Sequence, residues 1–255
     1  MRLVTFNIWN GRSPGVARVD LDRLAHAIRT LAPDILALQE VDQHQPRSLD
    51  ADLAAIAAEA MGCVDHRFVA ALTGSPSGLW AAAGDAAPTT GPAFGNALFS
   101  RYPVRSWEVL RMPGAGPLVT IPFPGPRPAV IIGEEPRVAL IAVVETPHGV
   151  ARVASTHLSF LPGPNLGQLR RLTRHLKDGA APALIMGDLN LPGGIPSVVT
   201  GYRPLARHRT FPAVHPLVQL DHLLLKGELG PVRHTAALRL AVSDHRALLA
   251  DIADD

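Results

Sequence analysis

The chain has 255 residues, of which 47% are hydrophobic, and 24 lysines and arginines against 22 acidic residues leave a formal net charge of +2 at pH 7. This weak positive charge is not typical of a strong nucleic-acid binder, and no apolar run reaches the roughly 18 residues that a membrane span needs. The single cysteine, Cys63, excludes an intrachain disulfide and favours a reducing compartment.

The N-terminal residues pass directly into a predicted strand, without the apolar region and small-residue cleavage site of a secretory signal. We therefore expect a cytoplasmic protein. Cys63 follows a helical pattern and is expected to be a small core residue, because no partner histidine of a cysteine hydrolase is recognisable.

The first half of the chain predicts strands and two amphipathic helices. Residues 19–31 carry apolar side chains at the spacing of one helix face, and Pro33 follows the pattern. Residues 48–61 predict a second helix, with Ser48 or Asp50 as its cap and Gly62 as its stop. The strands predicted in this half are 3–8, 35–41 and 66–72, followed by a hairpin of 96–101 with 104–110.

The second half predicts shorter strands and one helix. A hairpin joins residues 138–146 to 150–158 through Pro147-His148-Gly149. Residues 164–177 have the apolar spacing of a helix. The other predicted strands are 184–186, 202–205, 220–225, 235–238 and 247–252, and loops rich in proline and glycine cover 73–93 and 113–128.

This succession of strands predicts an α+β fold. Many hairpins and few helices favour two mainly antiparallel sheets that pack face to face, with the helices outside. Because we find no internal repeat and no low-complexity linker, we expect a single domain over residues 1–255.

Polar side chains follow the apolar run at residues 183–186. Gly187 would let the chain turn off the strand end, and Asp188 and Asn190 would point to the same side of an extended segment. A carboxylate and a carboxamide that converge there suit a hard divalent cation, or a water that must lose a proton. Taken alone, the segment also fits a strand followed by a turn, since aspartate and asparagine are common turn residues.

Other β-like runs in the chain also end in polar groups. In sequence order, the full set of motifs is Leu3 to Asn7, Ile35 to Glu40, Val153 to His157, Gly187-Asp188-Leu189-Asn190, Gln219-Leu220-Asp221 and Ser243-Asp244-His245. This set, in this order, resembles the endonuclease/exonuclease/phosphatase superfamily, the metal-dependent phosphoesterases of the DNase I type. The resemblance extends from Asn7 to His245.

The resemblance implies a four-layer αββα sandwich with its active site at one edge, where strand ends and loops meet. It also implies phosphoester hydrolysis by direct attack of water, with Mg²⁺ or Mn²⁺ as the cofactor.

The resemblance further implies roles for individual residues. Glu40, Asp244 and Asn7 would hold the metal, and Asn7 would also contact the substrate. Asp188 and Asn190 would position the attacking water, and His157 would hydrogen-bond a phosphate oxygen. Asp221 would orient His245, and either Asp188 or His245 would be the general base. Asn96 would contact the phosphate, although an asparagine with a purely structural place in a strand fits the sequence equally well.

The sequence also predicts the positions of two histidines outside the motifs. His222, next to Asp221, should point to the opposite face of its strand and have no catalytic part. His208 precedes Thr210-Phe211-Pro212 and is, among the histidines outside the motifs, the one that we expect nearest to the site.

The substrate class is narrowed by a departure from one branch of the superfamily. The apurinic endonuclease branch has a lysine two residues after the metal glutamate, whereas this chain has Asp42. The two long loops carry one arginine, Arg127, and no lysine, although a groove that tracks DNA would need more cations.

We therefore expect a small or lipid-headgroup phosphoester as the substrate and a monomeric protein. The alternatives are a Mg²⁺-dependent nuclease acting on DNA or RNA, and a catalytically silent binding module on the same fold.

Overall fold

The structure is a computed structural model, and it describes residues 1–76, 80–84, 91–112, 114, 119–121, 130–132, 134–177, 179 and 181–253. The helices are α1 (Leu21–Leu31), α2 (Leu53–Met61), α3 (Pro164–His175) and α4 (Ile195–Thr200). None of these described helices is both long and apolar enough to cross a membrane.

Strands occur along the whole described part of the chain, from Arg2 to Ile252. They are β1 (Arg2–Asn7), β2 (Arg12–Ser13), β3 (Val16–Val19), β4 (Ile35–Gln43), β5 (Asp65–Gly74), β6 (Trp80–Ala82), β7 (Ala93–Ser100), β8 (Val104–Met112), β9 (Val119–Ile121), β10 (Val130–Ile132), β11 (Arg137–Thr146), β12 (Gly149–His157), β13 (Ala183–Asp188), β14 (Arg203–Pro204), β15 (Asp221–Lys226), β16 (Val232–Leu238) and β17 (Ala247–Ile252).

Most of these strands form two sheets. The first sheet has the order β16-β17-β1-β4-β7-β5-β6, and the second has the order β14-β15-β13-β12-β11-β8. Parallel pairing occurs between β1 and β4 and between β12 and β13, and the other neighbours within these sheets are antiparallel. The prediction of mainly antiparallel sheets is therefore confirmed.

Three apolar cores hold the layers together. Leu3 and Leu98 of the first sheet and Leu140, Val153 and Leu184 of the second share one core between the sheets. The outer face of the first sheet packs on α1 and α2, and the outer face of the second packs on α3 and α4. This is the αββα sandwich that the resemblance implies, in the α+β class.

The first helix forms for the reasons that its sequence indicates. The side chain of Asp20 accepts a hydrogen bond from the backbone N–H of Arg23 at 3.0 Å and so caps the helix start. Leu24, Ile28 and Leu31 are buried on one face, against the first sheet.

The second helix begins later than the sequence predicts. Leu49 and Asp50 have left-handed backbones, with φ of 63° and 56°, so the helix cannot run through them. The cap is neither Ser48 nor Asp50 but Asp52, which accepts from the backbone N–H of Ala55 at 2.9 Å. Gly62 ends the helix as predicted.

The hairpin predicted for residues 96–110 is wrong, because its two strands lie in different sheets. β7 pairs with β4 and β5, while β8 pairs with β11. The turn at Tyr102-Pro103 therefore carries the chain from one sheet to the other. The second predicted hairpin, β11 with β12, is confirmed, with Thr146 opposite Gly149.

Three further differences concern short elements. β6 lies inside the predicted loop 73–93 and pairs with β5. The helix α4 was not expected, because six residues are too few to show a helical period. Much of the predicted loop 113–128, including Arg127, lies outside the described residues.

Gly187 lies within β13, where two strands of the second sheet come close together. Thr156 of β12 is its partner in the parallel register, which also sets His157 beside Asp188. A Cβ atom at Gly187 would collide with the carbonyl oxygen of Thr156. The glycine thus serves the close packing of two strands rather than a turn away from the strand end.

We expect Gly187→Ala to lower the free energy of unfolding by about 3 kcal/mol, because the added methyl group must push β12 and β13 apart. Urea unfolding followed by circular dichroism measures this change. Gly167→Ala is the matched control, since Gly167 is exposed in α3 and a Cβ there meets open space. The control should gain up to about 1 kcal/mol, and an equal effect of the two substitutions would contradict the packing argument.

Candidate active site

The polar strand ends of both sheets meet at one edge of the sandwich. In the second sheet, the register places His157 beside Asp188, and Asp188 opposite Asp221. In the first sheet, Asn7 ends β1 beside Gln39, the residue before Glu40. The sandwich therefore brings together residues that are more than 200 positions apart in the chain.

Asp188 is the centre of this group. Its carboxylate accepts hydrogen bonds from the side-chain nitrogen of Asn7 at 3.1 Å and from the backbone nitrogen of Asn190 at 2.9 Å. The Nε2 atoms of His157 and His245 lie 3.5 and 3.7 Å from its Oδ2. Five of the residues that the sequence predicts for the site are thus in mutual contact.

Asn7 connects the two sheets. Its Nδ2 donates both to Asp188 and to Glu40 Oε1, the latter at 3.0 Å, while its Oδ1 accepts from the backbone N–H of Trp9 at 3.1 Å. The amide therefore holds a carboxylate of each sheet through its nitrogen. Its predicted metal and substrate roles, which would use the oxygen, stay predictions.

Glu40 projects from an irregularity in β4. The pairing of β4 with β7 shifts between Leu38 and Val41, and Glu40 has a left-handed backbone with φ of 55°. Bulges of this kind redirect a side chain and are common beside active sites. Burial raises the pKa of Glu40; the hydrogen bond from Asn7 opposes this shift and the charge of Asp244 adds to it.

Asp221 and His245 form a buried pair. His245 Nδ1 and Asp221 Oδ2 are 2.9 Å apart, and the ring of Phe211 lies 4.8 Å from the His245 ring. Burial disfavours the charged imidazole, but the charge and hydrogen bond of Asp221, with the charges of Asp188 and Asp244, raise the pKa of His245 to about 10. His245 is therefore a cation at neutral pH.

Asp188 differs sharply from an ordinary aspartate. Burial raises its pKa to about 7, although the charge of His245 lowers it and that of Asp221 raises it further. A carboxyl group in this environment gains and loses its proton near neutral pH, which is what a general base requires.

Asn190 does not continue an extended segment, in contrast to the expectation from its spacing. Its backbone is left-handed, with φ of 48°, and its Nδ2 donates to the carbonyl oxygen of Leu158 at 3.0 Å. The same nitrogen lies 3.1 Å from His157 Nε2, which therefore accepts. Asn190 still converges with Asp188, but it does so through a turn.

His157 is an uncharged imidazole. Burial lowers its pKa well below the usual value, and the positive charges of Arg137 and His245 lower it further. Because Nε2 accepts from Asn190, the ring proton belongs on Nδ1.

A third left-handed residue ties the end of β1 to His245. Ser243 has φ of 75°; its Oγ donates to the carbonyl of Asn7 and accepts from the backbone N–H of His245 at 2.9 Å. Trp9 and Asn10, which follow β1, are also left-handed, and Asn10 donates to the Glu40 carbonyl at 3.2 Å. Backbone strain of this type is common at functional sites.

The carboxylates of the site suit a cation. Glu40 and Asp244 each have a raised pKa, with burial as the main cause. The carboxylates of Asp188 and Asp221 offer oxygen atoms within 4.8 Å of each other, and Asp221 Oδ1 is buried without a hydrogen-bond partner among the described residues. Hard oxygen donors of this kind fit Mg²⁺ or Mn²⁺, and a bound cation would relieve the crowding of negative charge.

Three other residues named from the sequence lie outside this contact network. Asn96 donates to the carbonyl of Val138 at 2.9 Å, a link between the sheets, and its phosphate contact stays a prediction. His222 is buried, with Nε2 2.9 Å from the carbonyl oxygen of Leu191. His208 pairs with Thr235 at 2.8 Å.

Asp42, which stands where one branch of the superfamily has lysine, has a structural role. It is fully buried and accepts two hydrogen bonds from Arg47, at 2.8 and 2.7 Å. The Arg47 guanidinium lies over the rings of Trp80 and Phe94. The sequence gives no sign of this cluster, because Trp80 comes from a segment predicted to be a loop.

The cluster borders a cavity beside the proposed metal carboxylate. The cavity has a volume of about 320 Å³ and is lined by Asn10, Glu40, Arg47, Pro76, Trp80, Phe94 and Glu135. An apolar wall with a few polar groups is typical of a site for a small organic group.

Comparison with known proteins agrees with this geometry. The model of the Endonuclease/Exonuclease/phosphatase family matches residues 4–245. The chain is 28% identical to the uncharacterized protein YbhP of Escherichia coli strain K12, over 98% of this chain and 95% of that protein.

Solved structures show the same fold. A protein described as endonuclease/exonuclease/phosphatase from Beutenbergia cavernae has a TM-score of 0.67 and 24% identity, over 98% of this chain and 70% of the other. A mannosyl-6-phosphatase of Bacteroides thetaiotaomicron has a TM-score of 0.66 and 12% identity, with both chains covered in full.

The buried His222 should make the fold sensitive to acid. Burial lowers its pKa to about 4, although its hydrogen bond to Leu191 and the charge of Asp221 oppose this shift. Below about pH 6.5 His222 is protonated in the unfolded chain but stays neutral in the folded chain. The free energy of unfolding therefore falls by up to about 1.4 kcal/mol per pH unit down to about pH 4.

We expect His222→Gln to lose about 2 kcal/mol less stability than the wild type between pH 7 and pH 5, as measured by urea unfolding at both pH values. His26→Gln is the control, because His26 is exposed in α1. Equal losses in the wild type and His222→Gln would show that His222 is not the buried neutral group described above.

Proposed function

The chain belongs to the endonuclease/exonuclease/phosphatase family, and on this premise we propose that it is a Mg²⁺- or Mn²⁺-dependent hydrolase in which water attacks a phosphoester directly. Members of the family are typically hydrolases of phosphoesters. The observation that carries the proposal is the environment of Asp188, a buried carboxyl group with a pKa of about 7 among two histidines and two asparagine donors.

Glu40 and Asp244, with Asn7 beside them, would hold the cation. When bound, the cation supplies a Lewis acid that stabilises charge on the phosphoryl and leaving oxygens. The fit rests on the clustered carboxylates, whose raised pKa values indicate negative charge without sufficient compensation.

Asp188 is the proposed general base. It takes a proton from the water as the water oxygen forms its bond to phosphorus and the ester oxygen departs with the electron pair. His245 is a poor candidate for this step because its pKa of about 10 keeps it protonated. As a cation held by Asp221, it stabilises the negative charge that develops on the phosphoryl oxygens.

The remaining site residues orient these groups. Asn190 fixes Asp188 through its backbone nitrogen and His157 through its side chain, at 2.9 and 3.1 Å. His157 stands beside the phosphoryl group and contacts one of its oxygens.

The proposed substrate is a phosphoester with a small leaving group. The cavity of about 320 Å³ beside Glu40 is large enough for a sugar or a lipid headgroup. Trp80 and Phe94 give it an aromatic wall on which the apolar face of such a group can lie.

Asp188→Asn should lower kcat by about 10²- to 10⁴-fold, because an amide cannot take the proton from water. Hydrolysis of p-nitrophenyl phosphate and of bis(p-nitrophenyl) phosphate, each with Mg²⁺ and with EDTA, measures the effect. Supercoiled plasmid is assayed in parallel, and nicking that the variant loses would identify a nuclease instead.

Asp20→Asn is the matched control for this substitution. Asp20 caps α1 and forms an exposed ion pair with Arg23, and asparagine caps a helix equally well, so activity should not change and stability should change little. Near-wild-type activity of Asp188→Asn would contradict the mechanism. Absence of Mg²⁺-dependent turnover of every phosphoester by folded wild-type protein would favour a binding module.

Trp80→Ala tests the place of the leaving group. The substitution removes the aromatic wall of the cavity and leaves Asp188 and its neighbours in place, so KM should rise about tenfold while kcat changes little. Steady-state kinetics on a sugar phosphate measure both constants. Unchanged KM would show that the leaving group does not occupy this cavity.

A further inference from the structure

Arg137 begins β11 at the same edge of the sandwich as the proposed active site. β11 is antiparallel to β12, with Ala139 opposite Thr156, so the start of β11 lies next to the end of β12 that carries His157. This proximity depends on the pairing of strands, and no motif in the sequence indicates it.

The side chain of Arg137 is buried without adequate partners. It is 8% exposed, and its Nε atom has no hydrogen-bond partner among the described residues. Its ionic partner among the described residues is Glu135, whose Oε2 lies 3.7 Å from Arg137 Nη2. The Glu135 side chain is 41% exposed. A guanidinium has five N–H donors, and burying it without acceptors is unfavourable.

The charge of Arg137 reaches the proposed site. It is the largest influence after burial in lowering the pKa of His157. The ionic partner of Arg137, Glu135, lines the same cavity as Glu40. Together with the position of β11 beside the end of β12, this places Arg137 next to the part of the site where the phosphoryl group is proposed to lie.

We propose that Arg137 binds a non-bridging oxygen of the substrate's phosphoryl group and thereby favours phosphate monoesters over diesters. This inference rests on the proposed function and names its substrate class. Arginine matches phosphate with two parallel hydrogen bonds, which explains why a buried guanidinium would be kept with its Nε–H unpaired among the described residues.

The preference for monoesters follows from the number of oxygens. A monoester has three non-bridging oxygens and up to two negative charges, whereas a diester has two such oxygens and one charge. His245 is already proposed as a cation beside one phosphoryl oxygen and the neutral His157 as a contact of another, so a second cationic donor is used fully only by a monoester.

Arg137→Gln tests this preference, because glutamine keeps a polar group of similar length without the charge. For p-nitrophenyl phosphate, kcat/KM should fall about 10- to 100-fold. For bis(p-nitrophenyl) phosphate it should fall less than about fivefold, and inhibition by inorganic phosphate should weaken in parallel with the loss on the monoester. Equal losses on both esters, or unchanged inhibition by phosphate, would overturn the proposal.

Arg152→Gln is the matched control. Arg152 is half-buried, and its guanidinium donates to the carbonyl oxygens of Leu176 and His175 at the end of α3, at 3.1 and 3.3 Å. The control should keep the monoester-to-diester ratio of the wild type, since it removes a structural arginine away from the site.

A second measurement needs neither turnover nor metal and covers the case in which Arg137→Gln fails to fold. In ¹⁵N NMR of the wild type without metal, inorganic phosphate should shift the Arg137 Nε–H signal, which is assigned by its absence in Arg137→Lys. No shift of this signal, while signals of His157 or His245 move, would overturn the proposal.

The two hypotheses fail in different ways. If the wild type turns over esters with Mg²⁺ but Arg137→Gln keeps the wild-type ratio, the role of Arg137 is wrong and the proposed function stands. If phosphate shifts the Arg137 signal but no ester is hydrolysed, phosphate binding stands and the proposed function is wrong.

Discussion

The burial of the Asp188 carboxylate is the constraint on which the rest of the site depends. A charge that is 1% exposed is stable only if nearby donors replace the water that it has lost. These donors come from both sheets, since Asn7 ends a strand of the first while Asn190 follows a strand of the second. The two sheets must therefore meet in one fixed arrangement. Within the second sheet, the close contact between Gly187 and Thr156 keeps His157 beside Asp188.

Opposite protonation states result from this arrangement. Asp188 and His245 are 3.7 Å apart, yet desolvation governs the carboxyl group, whereas the nearby carboxylates govern the imidazole. Asp221 is responsible for much of the difference, because it is bonded to His245 and only repels Asp188. The buried Asp221 thus helps to give Asp188 and His245 very different pKa values within one small site.

The sequence predicts which polar residues lie together at the edge of the sandwich better than it predicts how the strands between them pair. Strand-end motifs are local, so Glu40, Asp188 and His245 could be found from a few neighbouring residues each. Strand pairing is not local, and β7 and β8 lie in different sheets although a short turn joins them.

Two physical causes account for the residues that the sequence analysis misplaced or missed. Left-handed backbones at Leu49 and Asp50 delay α2, and another at Asn190 turns the chain after β13. Aspartate and asparagine adopt this conformation more readily than other residues with a side chain, but much less often than glycine, so their signal is weak, and leucine gives none. Arg137 could not be found from its own segment, because its place beside the proposed site depends on the register between β11 and β12.

The left-handed residues around the site also limit how the protein can be engineered for heat resistance. Glycine is the usual replacement for a strained residue, and each such residue stores about 1–3 kcal/mol. At Glu40, Asn190 and Ser243, however, the side chain bonds to another site residue or to its backbone. Leu49, also left-handed and 63% exposed, is free of that conflict. A more thermostable variant is therefore to be sought in the approach to α2 and not at the edge of the proposed active site, where the strained residues also hold the polar groups together.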